Sequence, residues 1–234
     1  MTNKKKCISF VPQSTFKLYS MNNENNKHLE NLTEIRSLME QSSRFISLSG
    51  LSGIIAGILA LIGAFAAFLY FDYNYYTPLM FDKIFASSAY PTTDFLIFLF
   101  LDAGLVFILA LGAAILLTTR KAKKQNSKIW TKPVKMMITE LAIPLLTGGF
   151  FTIVLLYYGE IYLLAPSTLI FYGLSLVAAS KYTLKHIRYL GISEILLGII
   201  SCFIPGYGMI SWAIGFGVFH IIYGIIMYNK YDRQ

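Results

Sequence analysis

Charge is scarce in this chain. Asp, Glu, Lys and Arg make up 14% of its 234 residues, against 56% hydrophobic and 15% aromatic. An ordinary soluble domain carries about a quarter charged residues, so that class is excluded. Cysteine occurs twice. Cys7 lies in a polar tail and Cys202 in an apolar run, which argues against a disulfide between them, and no CxxC or Cys/His metal spacing is present. P-loop, HExxH, G-x-S-x-G and post-strand GxGxxG patterns are missing too, so no catalytic residue, cofactor or metal is expected. The residues after Lys4-Lys5-Lys6 are too short and too polar to form the apolar region of a signal peptide, and no cleaved targeting segment is read. The net charge of +8 does not point to nucleic acid, because the basic residues stand between apolar runs rather than among stacking aromatics on a soluble face.

The chain does have long apolar runs. The first, Arg44 to Phe71, is free of charge from Phe45 until Asp72 and exceeds the ~20 residues a helix needs to cross a bilayer. Five more follow: Asp94 to about Thr118, Met136 to Tyr158, Ile161 to Ser180, Tyr189 to about Pro205, and a last one ending near Tyr228. The expected fold is an all-α polytopic membrane bundle of six transmembrane helices occupying residues 46–228. Gly159-Glu160 and Gly206-Tyr207-Gly208 should turn the chain between spans. The fifth span is short, about 16 residues, which calls for thinning, tilt or burial among neighbours.

Of the 20 Lys and Arg residues, Lys83 alone falls on one side of these spans, and the other 19 fall on the opposite side. The positive-inside rule then puts both termini in the cytoplasm. Residues 1–27 read as a disordered tail, with Met21 a candidate start because everything patterned lies beyond it. Residues 28–45 read as an amphipathic interfacial helix, opened by Asn31 and Glu34 at capping-box spacing. Residues 229–234 form a short cytoplasmic end. The Tyr- and Phe-rich stretch from Asp72 to Thr93 reads as an interfacial loop.

Two outward-going spans open alike, as Gly50-Leu-Ser52-Gly-Ile-Ile-Ala-Gly57 and Gly191-Ile-Ser193-Glu-Ile-Leu-Leu-Gly198, with Ile138-Thr139-Glu140 a looser third. Tyr172-Gly173 with Lys181-Tyr182 matches Tyr223-Gly224 with Lys230-Tyr231 on returning spans. These echoes read as three helical hairpins. Ser49, Gly53 and Gly57 stand at four-residue spacing, and Ala213, Gly217 and Gly224 flank His220. Such small-residue faces let helix backbones approach closely, which is how helices associate in lipid.

Four ionisable residues fall inside the spans: Asp102, Glu140, Glu194 and His220. Buried charge in a bilayer is costly, so each is a candidate functional group. Glu140 and Glu194 lie roughly 8 Å from the cytoplasmic ends of their helices and His220 roughly 12 Å, so the three could meet in the inner half, with Asp102 apart, about 12 Å below the outer surface. One reading is a proton or cation relay, since two carboxylates beside an imidazole exchange protons readily. The other is structural: each glutamate follows Thr139 or Ser193 in a first turn favoured by the helix dipole and snorkels to water or lysine, while His220 bonds across helices. Pro144, Pro166 and Pro205 read as kinks. Trp130, Trp212 and the tyrosines read as interfacial anchors.

From Leu29 to Gly63, chiefly Glu34-Ile-Arg-Ser-Leu-Met-Glu and Ser43-Arg-Phe-Ile-Ser-Leu-Ser-Gly-Leu-Ser-Gly, the chain resembles an uncharacterised family of bacterial multi-span proteins of the Bacteroidota type. The resemblance implies an inner-membrane location and transfers no site residue. The functional expectation is a non-enzymatic membrane sensor or accessory subunit. A proton-coupled or small-solute transporter and an intramembrane enzyme are the alternatives. Its partners are the lipid bilayer and other membrane proteins or further copies of itself, not nucleic acid.

Overall fold

The computed structural model describes residues 49–75, 93–124, 129–184 and 186–232. The expected tail, the interfacial helix before Ser49 and most of the aromatic loop lie outside them. Every secondary-structure element among the described residues is helical. The elements are α1 (Gly50–Tyr75), α2 (Thr93–Lys124), α3 (Lys132–Tyr157), α4 (Leu164–Ala179), α5 (His186–Cys202), α6 (Gly208–Trp212) and α7 (His220–Met227). A π segment, Ala213–Phe219, joins α6 to α7, and a second, Tyr228–Asp232, follows α7, so 208–232 run as one C-terminal helix.

Five helices among the described residues are long and apolar enough to cross a membrane: Gly50–Tyr70, Leu96–Lys124, Lys132–Tyr157, Ile161–Ala179 and Gly208–Lys230. The sixth apolar run forms α5, which has 17 residues and starts three residues before the expected Tyr189. Large apolar side chains point away from the bundle, Leu101 at 68% and Ile108 at 69% exposure among them, as lipid-facing residues would. Hydroxyls turn inward on their own helices instead. Thr139, Thr147, Thr152, Ser175 and Ser193 each donate to a carbonyl three or four residues back, the usual way to satisfy a polar group where water is scarce.

Local chemistry sets the helix ends. Asp94 lies in the first turn of α2 and Lys121, Lys123 and Lys124 in its last, each sign opposite to the adjacent pole of the helix dipole. Pro133 sits in the first turn of α3, where its missing N–H costs nothing. At the other end Gly159 takes φ 77°, its N–H bonds Leu156 O and the Glu160 N–H bonds Leu155 O, a Schellman ending that only glycine enters without strain. Gly206 at φ 91° turns the chain after α5. Pro166 falls in the first turn of α4 and Pro205 beyond α5, so neither kinks a helix. Pro144 alone lies in a helix interior, and it deprives the Glu140 carbonyl of its usual donor.

α1 packs between α2 and the C-terminal helix, and α4 between α3 and α5; the C-terminal helix joins the two groups. Two seams, α1 with α7 and α5 with α4, have the same close approaches. A Cβ on Gly57 would meet Gly217 O and Ile221, and one on Gly198 would meet Pro166 O and Ile170. Likewise Gly50 backs onto Gly224 O and Tyr228, and Gly191 onto Gly173 O and Val177. The numbering offset is constant, 141 from α1 to α5 (191 less 50, 198 less 57) and 51 from α4 to the C-terminal helix (217 less 166, 224 less 173).

Candidate functional site

The polar centre of the bundle lies where α4, α5 and the C-terminal helix meet. Glu194 is fully buried on α5, eight residues past His186 and so about 12 Å from that end of the helix. Its Oε1 stands 3.4 Å from Nδ1 of buried His220, its one ion-pair partner among the described residues. Neither carboxylate oxygen has a hydrogen bond there. Burying an acid without donors is costly, and most buried polar groups avoid it.

His220 is held at both ring nitrogens. Nδ1 is 3.1 Å from Gly215 O, five residues back along the π segment, and Nε2 is 2.7 Å from the Tyr172 hydroxyl on α4. A carbonyl only accepts, so Nδ1 carries a hydrogen; in the neutral ring Nε2 then accepts from Tyr172. Phe216 stacks on the imidazole at 6.0 Å between ring centres and meets the Tyr172 ring at a tilt, 5.0 Å between centres, which packs both rings in place. Gly215 supplies space as well as its carbonyl, since a Cβ there would collide with Glu194 Oε2 and Leu169.

The other two ionisable residues stand apart. Glu140 is half-buried on α3, whose principal neighbours are α4 and the Ile161–Leu163 turn, and no ion pair or hydrogen bond joins it to Glu194 or His220. Asp102 is half-buried on α2, its carboxylate oxygens 3.5 Å from where a Cβ on Gly63 would stand, an ordinary contact; the close neighbour of that glycine on α2 is Val106. Glu194, by contrast, reaches neither water nor a lysine. The small-residue faces meet each other, with Gly53 against Gly224, Gly57 against Gly217, and Ser49 buried.

Tyr172 enters the site although its sequence context suggested an interfacial anchor; the repeated Tyr-Gly pairs were the signal that set it apart from other tyrosines. Trp212 also packs inside, 5.0 Å from Phe216, whereas Trp130 is 73% exposed near the start of α3. At the basic end His186 Nε2 accepts from Lys230 Nζ at 3.0 Å, tying α5 to the end of the C-terminal helix. Partial burial and the nearby ammonium hold the His186 imidazole below its ordinary pKa. No group of three or more His, Cys, Asp or Glu suited to a metal occurs among the described residues.

Among the described residues, fold and site together give an all-helical bundle, five of its helices long and apolar enough to cross a membrane, with an acid–base pair buried inside. No protein-family model matches the chain, and no curated protein or solved structure does either.

Proposed function

We propose that the chain is a bacterial inner-membrane protein of six spans with both termini cytoplasmic, acting as a non-enzymatic sensor or as an accessory subunit of a membrane assembly. The observation that carries this reading is the link Glu194–His220–Tyr172, an acid–base element built into the packing of three helices, as suits a group that biases helix positions rather than one that meets a substrate. The split of Lys and Arg supports the orientation, and the apolar length of α5 supports a sixth, short span. The matching seams support an internal repeat, with the related contacts falling between hairpins. Copurification from gently solubilised membranes should bring down a stable partner; a lone monomer in several detergents refutes the assignment. Cysteines placed at Ser87 and Ser127 should label from outside only at the former.

Proton-coupled transport is the second reading, favoured by a buried carboxylate without hydrogen-bond donors. In proteoliposomes with an imposed pH gradient, Glu194→Gln and His220→Ala should then abolish a flux present in the parent.

A further inference from the structure

Glu194 breaks the rule that the rest of its seam obeys. At the constant offset its counterpart on α1 is Gly53, which faces Gly224 closely, and the counterpart of His220 on α4 is Leu169. Tyr172 has Tyr223 as its counterpart. The seam of α1 with the C-terminal helix therefore has Gly53 and His220 where the seam of α5 with α4 has Glu194 and Leu169: each carries one polar group that the other lacks, and the two polar groups meet between the seams. Each polar group sits where the matching seam packs with glycine or leucine, so packing alone requires neither, yet the pair is carried at the cost of burying it.

We propose that Glu194, His220 and Tyr172 form a proton-binding site holding one exchangeable proton, loaded from the basic end of the bundle. The proposal rests on the chain lying in a membrane, because lipid around the bundle adds to the cost that burial already sets on a net charge in the cluster. The titratable groups around Glu194 are His220 and Tyr223 from the C-terminal helix and Tyr172 from α4; α1 has no Asp, Glu, His, Lys or Arg between Gly50 and Phe71. With neutral phenols and no lysine or arginine, the cluster is uncharged when Glu194 and His220 hold one labile proton between them.

The proton-poor site has a Glu194 carboxylate and a neutral His220 whose Nδ1–H is held by Gly215 O and whose Nε2 accepts from Tyr172. On uptake, the Tyr172 hydroxyl hydrogen moves to Nε2 while a proton from hydronium replaces it on the phenol oxygen. One N–H bond forms, the phenol O–H bond breaks and is remade, the hydronium gives up one O–H bond and leaves as water, and no electrons are exchanged. The imidazolium pairs with Glu194, and the cluster is neutral. Tyr172 and Tyr223 pack against the same buried residues, Leu176, Ile187 and Leu190, which places two phenols between His220 and the basic end.

The test is nitrogen-15 histidine NMR of the full chain in lipid nanodiscs across the pH range in which it stays folded. His220 Nδ1 should remain protonated throughout, while Nε2 passes once between acceptor and protonated shifts. Glu194→Gln should abolish that transition or displace it by more than about one pH unit, and Tyr172→Phe should alter the Nε2 resonance alone. A bare Nδ1, a constant Nε2 shift, or a transition indifferent to Glu194→Gln overturns the proposal. If Glu194→Gln does not fold, the parent spectrum decides by the first two criteria. The result is independent of copurification: a chain that titrates but has no partner refutes the sensor or accessory reading alone, and one with a partner but no titration refutes the site alone.

Discussion

His220→Leu is the most informative single perturbation, because leucine is what the bundle already carries at the corresponding position, Leu169, in its other seam. The change removes the one ionic partner that a fully buried carboxylate has among the described residues, 3.4 Å away, and leaves Glu194 with no donor among them. Breaking a buried pair from one side typically costs about 3–5 kcal/mol, most of it the penalty of stranding the other charge. Glu194→Gln strands no charge, and His220 keeps Gly215 O and Tyr172, so its cost should be nearer ~1–2 kcal/mol, the range of an imperfectly paired buried amide. In the double variant no carboxylate remains to be stranded, and about 2–3 kcal/mol of the His220→Leu loss should return. Reversible unfolding of the purified protein in mixed micelles measures all four corners of the cycle. Losses that add to within ~0.5 kcal/mol would mean that Glu194 and His220 do not interact, and the site as described would be wrong.

Other expectations follow from the same contacts. Gly57→Val and its counterpart Gly198→Val should each lose about 1–3 kcal/mol in the same assay, since each inserted side chain meets a backbone carbonyl, whereas Gly112→Ala, with open space around its Cβ, should be neutral or gain up to ~1 kcal/mol. The His186 imidazole sits below its ordinary value, so the unfolded chain binds more protons there. The neutral form's contribution to stability is therefore present above the ordinary histidine range and lost as pH falls through the lowered value. Lys230→Ala should raise the His186 midpoint in an NMR titration, and an unmoved midpoint would refute the contact. Glu140→Gln should shift stability by no more than ~0.5 kcal/mol, because Glu140 has no ionic partner among the described residues; a loss as large as that of His220→Leu would show that a partner has been overlooked.

Much of the fold was legible because bilayer crossing leaves a coarse signature. Uninterrupted apolar length marks α1 through α4 and the C-terminal helix, and Gly159 and Gly206 mark the turns, both at positive φ. The boundaries that moved did so for local reasons. α2 and α3 extend into the basic link, at Lys124 and Lys132, because lysine continues a helix readily once it is outside the apolar core and favours the C-terminal pole of α2. The three prolines were equivalent in the sequence, but only Pro144 lies far enough into a helix to remove an interior hydrogen bond, Pro166 being in a first turn and Pro205 beyond a helix end.

The site was legible as residues and not as a set. Glu140 and Glu194 carry the same local signal, a hydroxyl residue before the acid near the start of an apolar helix, and no sequence periodicity separates them because their helices are apolar on nearly every face. The difference is the neighbour. α3 rests on α4 with Gly148 under the Phe171 ring, while α5 lies against a helix whose π segment brings the Gly215 carbonyl and His220 to the same face as Glu194. A π register depends on long-range packing rather than on any residue's own preference, so neither the widened turn nor the imidazole orientation it fixes could be read from the Gly-rich run alone. Half of the constant offset between the two seams is visible in the sequence, where Gly50 and Gly57 match Gly191 and Gly198. That match places Gly53 opposite Glu194. A glutamate at a position where the repeat uses glycine is a departure visible in the sequence, and it singles out Glu194 over Glu140 without any knowledge of the fold.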